Sequence, residues 1–119
     1  MELAMREEQN VCEACIPEAQ KTSETALKTF LQKHTTWKLI NDDNVQKLTK
    51  SFKFRNFVEA QAFTNTVSEM AETEGHHPLI TLEYGRVTVT WWSHKIKGLH
   101  DYDLKLSEKT EFLYRDHLQ

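Results

Sequence analysis

Two hydrophobic periods alternate along this chain. Ala26, Leu27, Phe30 and Leu31 follow Ser23 at helical spacing, which predicts a first helix to about His34 with Ser23 as its N-cap. Trp37 to Ile40 reads as a short strand, and Asn41-Asp-Asp-Asn44 as turn chemistry. Val45 to Phe54 reads as a second strand, with Phe52 and Phe54 on one face and Ser51 and Lys53 on the other. Asn56 followed by Glu59 resembles a capping box, with Asn in place of Ser or Thr. The helix it opens carries Ala60, Phe63, Val67, Met70 and Ala71 on one stripe, and Gly75 fits a left-handed stop. Leu79 to Tyr84 and Val87 to Ser93 read as two further strands joined tightly around Gly85. Gly98 interrupts the pattern, and a last helix runs from about Asp101 to His117.

Short hairpins make neighbouring strands antiparallel. The order α-β-β-α-β-β-α therefore predicts an α+β fold of two layers: a four-stranded antiparallel sheet with three helices on one face. Pro17 to Thr22 reads as a polar linker, so residues 1–22 are expected to form a leader and residues 23–119 the domain.

The 119 residues suit one domain, able to bury enough surface to fold without a disulfide or a metal. A net charge of -3 with scattered basic residues offers no basic stripe for direct contact with nucleic acid. No apolar run approaches membrane-spanning length, and the first residues lack the layout of a signal peptide. A soluble cytoplasmic protein is the expectation. Cys12-Glu-Ala-Cys15 sits in the polar leader with no strand before it, unlike a thioredoxin-type pair. A zinc site there would need two more ligands, and no second close cysteine pair exists. The plain reading is a partly ordered leader with two thiols.

Histidines carry the candidate chemistry. Glu72 falls in the last turn of the second helix, and His76 and His77 follow in the loop that Pro78 closes. His94 ends the fourth strand, beside the start of the third in a tight hairpin. Asp103 opens the last helix near the same rim. Imidazole exchanges protons near neutral pH, so three of them at one edge point to proton transfer or to a metal. Adjacent side chains such as His76 and His77 tend to diverge, which disfavours one ion bound by both. His34, His100 and His117 read as surface or structural residues. Trp91 and Trp92 lie on alternate faces, one for the core and one for a helix or subunit contact; without a basic groove they make no stacking platform for nucleic acid.

The spacing Glu72-x3-His76-His77-Pro78-x5-Tyr84-x9-His94-x8-Asp103 resembles the signature of the pterin carbinolamine dehydratases. Val87-Thr-Val-Thr-Trp-Trp-Ser-His94-x-Ile-Lys-Gly-Leu99 and the Cys-Glu-Ala-Cys leader are similar to the bacterial members. The resemblance implies a hydro-lyase that dehydrates 4a-hydroxytetrahydrobiopterin to quinonoid dihydropterin, recycling the cofactor of an aromatic amino acid hydroxylase such as phenylalanine hydroxylase. It implies no cofactor and no metal in the reaction, and a homodimer or homotetramer. By similarity, His76 and His94 form the acid–base pair and His77 binds and orients the pterin. Glu72 accepts hydrogen bonds from the ring, and Trp37 borders the pocket. Ser93 and Asp103 complete the substrate contacts, Asp103 alternatively orienting a histidine or capping the helix. Animal members carry an acidic residue where this chain has Gly75, which leaves that contact to backbone. Tyr84 reads as a packing aromatic.

Two other roles stay open. Animal relatives serve as dimerisation partners of a transcription factor, and bacterial relatives are linked to expression of the hydroxylase. Some bacterial relatives are tied to molybdopterin metabolism instead.

Overall fold

The computed structural model describes residues 12–118, so residues 1–11 of the expected leader lie outside the described part. After a short 3-10 turn at Glu13–Cys15 come α1 (Glu24–Lys33), β1 (Lys38–Asp42), β2 (Val45–Lys53), α2 (Phe57–Glu74), β3 (Leu79–Glu83), β4 (Arg86–Trp91) and α3 (Asp101–His117). All strand pairs are antiparallel, in the order β1-β2-β4-β3. The two-layer α+β architecture expected from the hydrophobic pattern is the one observed. Among the described residues no helix is long and apolar enough to cross a membrane.

Local chemistry sets the boundaries. The Ser23 hydroxyl accepts from Ala26 N at 3.0 Å, and Asn56 Oδ1 accepts from Glu59 N at 2.9 Å. Each such cap supports its helix by about 1 kcal/mol. The box at Asn56 is half made, because the Glu59 carboxylate turns outward to Arg55. Asp43 (φ 54°) and Asn44 (φ 65°) form a two-residue loop between the paired Asp42 and Val45. Short polar side chains tolerate that left-handed backbone, so the turn is tighter than the four-residue one expected. In the second hairpin Gly85 is required for space: a Cβ there would meet Phe54 O at 2.9 Å. Strand β4 stops at Trp91 because Ser93 leaves the sheet to pair with Gly98, closing the loop in which Lys97 takes φ 51°.

Alternation along the strands separates two faces. Leu48 and Phe52 of β2 and Val87, Val89 and Trp91 of β4 are buried beneath the helices, among Phe30, Phe63, Val67, Leu104 and Leu106. The other face carries hydroxyl pairs, Thr49 with Thr90 at 2.8 Å and Ser51 with Thr88 at 2.9 Å. On the helix side Lys50 and Glu111 form an ion pair at 2.5 Å, each only 11% exposed in its side chain. Glu111 also accepts from Trp37 Nε1 at 3.2 Å.

The described part of the leader is tied to the domain at Cys12–Cys15, which face His76, and again at Thr22, whose N–H donates to Leu99 O at 2.6 Å and whose hydroxyl donates to Asp101 Oδ1 at 2.5 Å. Cys12 and Ala14 are buried although their neighbours in sequence are polar. Tertiary contact with the domain, described below, supplies the order that composition does not announce.

Candidate active site

The site begins where α2 ends. Gly75 takes φ 68°, and its N–H and that of His76 close back on Glu72 O and Ala71 O at 3.2 Å each. A residue with a Cβ pays about 1 kcal/mol or more in that conformation. Three residues outside any helix or strand then lead to β3 at Leu79, and the two adjacent histidines part. His76 goes inward and His77 outward.

His76 is 2% exposed, with its ring stacked on the Trp91 indole at 5.7 Å and an interplanar angle of 17°. Its Nε2 lies 2.6 Å from Asp103 Oδ1. Asp103 is fully buried and accepts two further bonds at Oδ2, from Ser93 Oγ at 2.6 Å and from the His100 N–H at 3.0 Å. Three donors around one carboxylate match what a buried ionised acid requires. An imidazole that donates from Nε2 to this acceptor keeps its lone pair at Nδ1. That atom faces Cys12 Sγ at 3.4 Å and Cys15 Sγ at 3.3 Å. Asp103 thus orients a histidine and caps α3 at once, in a capping box with His100, whose Nδ1 accepts from Tyr102 N at 3.0 Å.

The outward groups are arranged differently. His77 Nε2 lies 2.8 Å from Glu72 Oε1, with side chains 63% and 70% exposed, open to an incoming molecule. The exposed ring of His94 packs on Trp92 at 4.5 Å. Lys47 Nζ lies over the same indole at 3.9 Å, so Trp92 belongs to the open face of the sheet with a cation beside it. Next to this rim Glu74 accepts from Lys109 Nζ at 2.7 Å and from the Tyr102 hydroxyl, which hold its carboxyl below the usual range.

The residues expected to share a site therefore fall into three groups. His76, Ser93 and Asp103 form one buried network, with the Ser93 hydroxyl spent on Asp103. Glu72, Gly75 and His77 form the outer corner of the α2 end. His94 stands on Trp92 beyond the end of β4. Trp37, placed at the pocket border by similarity, is 2% exposed at the start of β1, the edge strand opposite β3, and packs edge-on to Phe52 at 6.0 Å. Sequence reasoning did not find the contact of Trp91 with His76, nor that of the two cysteines. The cysteine pair was visible as a motif, but its partner lies 64 residues away from Cys12. His100, read as structural, is a helix cap.

Residues 20–113 match the family model described as pterin 4 alpha carbinolamine dehydratase. A Nitrosococcus oceani protein named for that dehydratase is 50% identical over 104 residues, covering 87% of this chain and 92% of its own length. A Saccharophagus degradans protein with the same name is 45% identical over 106 residues, covering 89% and 94%. Among solved structures, a transcriptional coactivator/pterin dehydratase from Brucella melitensis superposes with a TM-score of 0.72 at 28% identity, covering 80% of this chain and 99% of that one. A pterin dehydratase-like protein described as a RuBisCO assembly factor in the alpha-carboxysome shares the fold, with a TM-score of 0.58 at 20% identity over 68% and 92%. Helix stop, paired histidines, Ser93 and Asp103 all lie inside the matched segment, and the chain belongs to the pterin 4 alpha carbinolamine dehydratase family, whose members are hydro-lyases.

Proposed function

We propose that this protein dehydrates 4a-hydroxytetrahydrobiopterin, or a closely related pterin 4a-carbinolamine, to the quinonoid dihydropterin by histidine general acid–base catalysis. The reaction breaks the C4a–O bond and the N5–H bond and releases water. One group protonates the departing hydroxyl and another takes the proton from N5, each worth roughly 10²–10⁴-fold. The observation that carries the reading is the split of the histidines between the two faces of the sheet end. His76 is buried with Nε2 on Asp103 and Nδ1 facing the two leader sulfurs, whereas His77 and His94 meet solvent.

Similarity pairs His76 with His94. Burial shifts the exchange of protons with substrate to His77 and His94, leaving His76 as the anchor that fixes the α2 stop against Asp103. Leu79 pairs with Thr90, and continuing that register two residues outward sets His77 across from Trp92, on which His94 packs. The Trp92 indole suits the flat bicyclic ring, and Glu72 is free on its outer oxygen to accept from ring N–H groups while it orients His77. The dehydration needs no cofactor beyond these side chains.

We also read the chain as a homo-oligomer that serves an aromatic amino acid hydroxylase in the cytoplasm. Leu79, 53% exposed on the edge strand β3, supports pairing between copies. The test is direct assay of 4a-hydroxytetrahydrobiopterin dehydration with the native chain and with His77→Ala and His94→Ala. Catalysis at the level of the uncatalysed reaction by the native chain would end this reading.

A second reading is favoured by the description of the Brucella melitensis relative as a transcriptional coactivator as well as a dehydratase. A regulatory role predicts that a His77→Ala, His94→Ala chain without dehydratase activity still restores the phenotype of a deletion strain. Loss of that phenotype together with activity assigns the role to catalysis.

A further inference from the structure

Three metal-ligating atoms converge where the leader meets the domain. Cys12 Sγ and Cys15 Sγ lie 3.4 and 3.3 Å from His76 Nδ1, and the three atoms fall within 4.8 Å of one another. Cys12 and His76 are buried and Cys15 is partly exposed. Cys12 and Cys15 are joined to each other as a disulfide. The dehydration described above has no use for either cysteine.

We propose that, once reduced to the dithiol, Cys12 and Cys15 bind a zinc-class divalent cation together with His76 Nδ1, water filling the fourth position. A thiol reductant opens the disulfide by supplying two electrons and two protons, and is itself oxidised to a disulfide. The cation then displaces both thiol protons.

The donor set fits the cation. Two thiolates and an imidazole are preferred zinc ligands, and three protein ligands plus water make an open tetrahedral site. Zn–S near 2.3 Å and Zn–N near 2.0 Å set S···N close to 3.6 Å in a tetrahedron, by order of magnitude. The observed separations of 3.3 and 3.4 Å are within a few tenths of that, so reduction has only to let the sulfurs part. The cysteines flank a 3-10 turn, which brings side chains three apart to one side.

Asp103 supplies the independent support. Its carboxylate accepts a hydrogen bond from His76 Nε2 at 2.6 Å, which leaves the Nδ1 lone pair aimed at the sulfurs. A carboxylate behind a histidine fixes the tautomer and strengthens the ligand. Here that carboxylate is itself held by Ser93 and His100, so the ligand is oriented before any ion arrives. Bound metal would lock the leader to the end of α2 and α3.

The experiment uses the full chain, reduced by a non-chelating phosphine without air, with Zn(II) uptake measured against a chromophoric chelator and Co(II) as absorption probe. Expected are one metal per chain, a thiolate-to-cobalt charge-transfer band, and a raised melting temperature. Cys12→Ser and Cys15→Ser should each weaken binding at least about ten-fold while circular dichroism stays native. Asp103→Asn should weaken it about 10–100-fold. A reduced chain with two titratable thiols that takes up no Zn(II) at equimolar metal overturns the proposal. So does equal uptake by the oxidised chain or by the double serine variant. The readout is metal uptake, so a negative result leaves the dehydratase reading standing.

Discussion

His76 and Asp103, 27 residues apart in the chain, are joined by a 2.6 Å bond between Nε2 and Oδ1, both side chains buried. One carboxylate there binds the end of α2, the exit of β4 and the start of α3. Removing it strands three donors. Asp103→Ala should destabilise the fold by about 3 kcal/mol or more, since each buried donor left unsatisfied costs about 1–3 kcal/mol. Asp103→Asn should cost less, about 1–3 kcal/mol, because it can still accept at one oxygen. Urea denaturation followed by tryptophan fluorescence measures both, and a loss under 0.5 kcal/mol for the alanine variant would contradict the network's structural role.

His77 and Glu72 are exposed, so their effects should separate from stability. His77→Ala and His94→Ala are expected to lower kcat by roughly 10²–10⁴-fold. Melting should change by no more than about 0.5 kcal/mol equivalent, as for surface positions. Glu72→Gln keeps the shape but weakens the hold on His77, and should lower kcat less than His77→Ala does. A Glu72→Gln loss equal to that of His77→Ala would mean that Glu72 itself handles the proton.

Lys50 and Glu111 form the buried ion pair under α3. Lys50→Met leaves Glu111 with only the Trp37 N–H and a distant Arg115 at 3.9 Å, and should cost about 3–5 kcal/mol. The double variant Lys50→Met, Glu111→Leu removes both charges and should recover most of that loss. A double-mutant cycle in urea reads the coupling. Additive losses would show that the two charges act independently.

Glu74 gives a pH dependence with a defined sign. The Lys109 ammonium and the Tyr102 hydroxyl hold its carboxyl below its ordinary value of 4.5. The unfolded chain therefore binds this proton more readily than the folded one. The contribution to stability is whole above the ordinary value and is lost as pH falls through the depressed folded value. Glu74→Gln should flatten part of the acid-side fall in melting temperature and leave the neutral-pH slope unchanged. An identical acid limb in the variant would mean that the pair contributes nothing.

Much of this fold is written locally. Ser23, Asn56 and Gly75 mark helix ends because each offers a side-chain acceptor or a left-handed backbone that neighbouring residues lack. Trp91 and Trp92 were expected on alternate faces, one of them core, and Trp91 is the buried one, with Val87 and Val89. Adjacent side chains tend to diverge, and His76 and His77 do, one buried and one exposed.

Other features have no local signal. Glu59 sits at the spacing of a capping box, yet its carboxylate is drawn to Arg55. Trp37 is suited by type to a pocket wall, but Phe52 and Glu111 claim it for the core. Composition made the leader look detached, while Cys12 is buried against a residue far along the chain.

By itself the sequence determined the elements, their order, the two alternating faces of β2 and β4 and the family, because these depend on backbone propensities and periodic patterns along contiguous residues. Only the tertiary structure decided which histidine is buried, that Asp103 serves it, and that two leader cysteines stand at its free nitrogen. Those pairings join residues 27 to 64 positions apart, and it is the packing of α2, β4 and α3 that sets their distances.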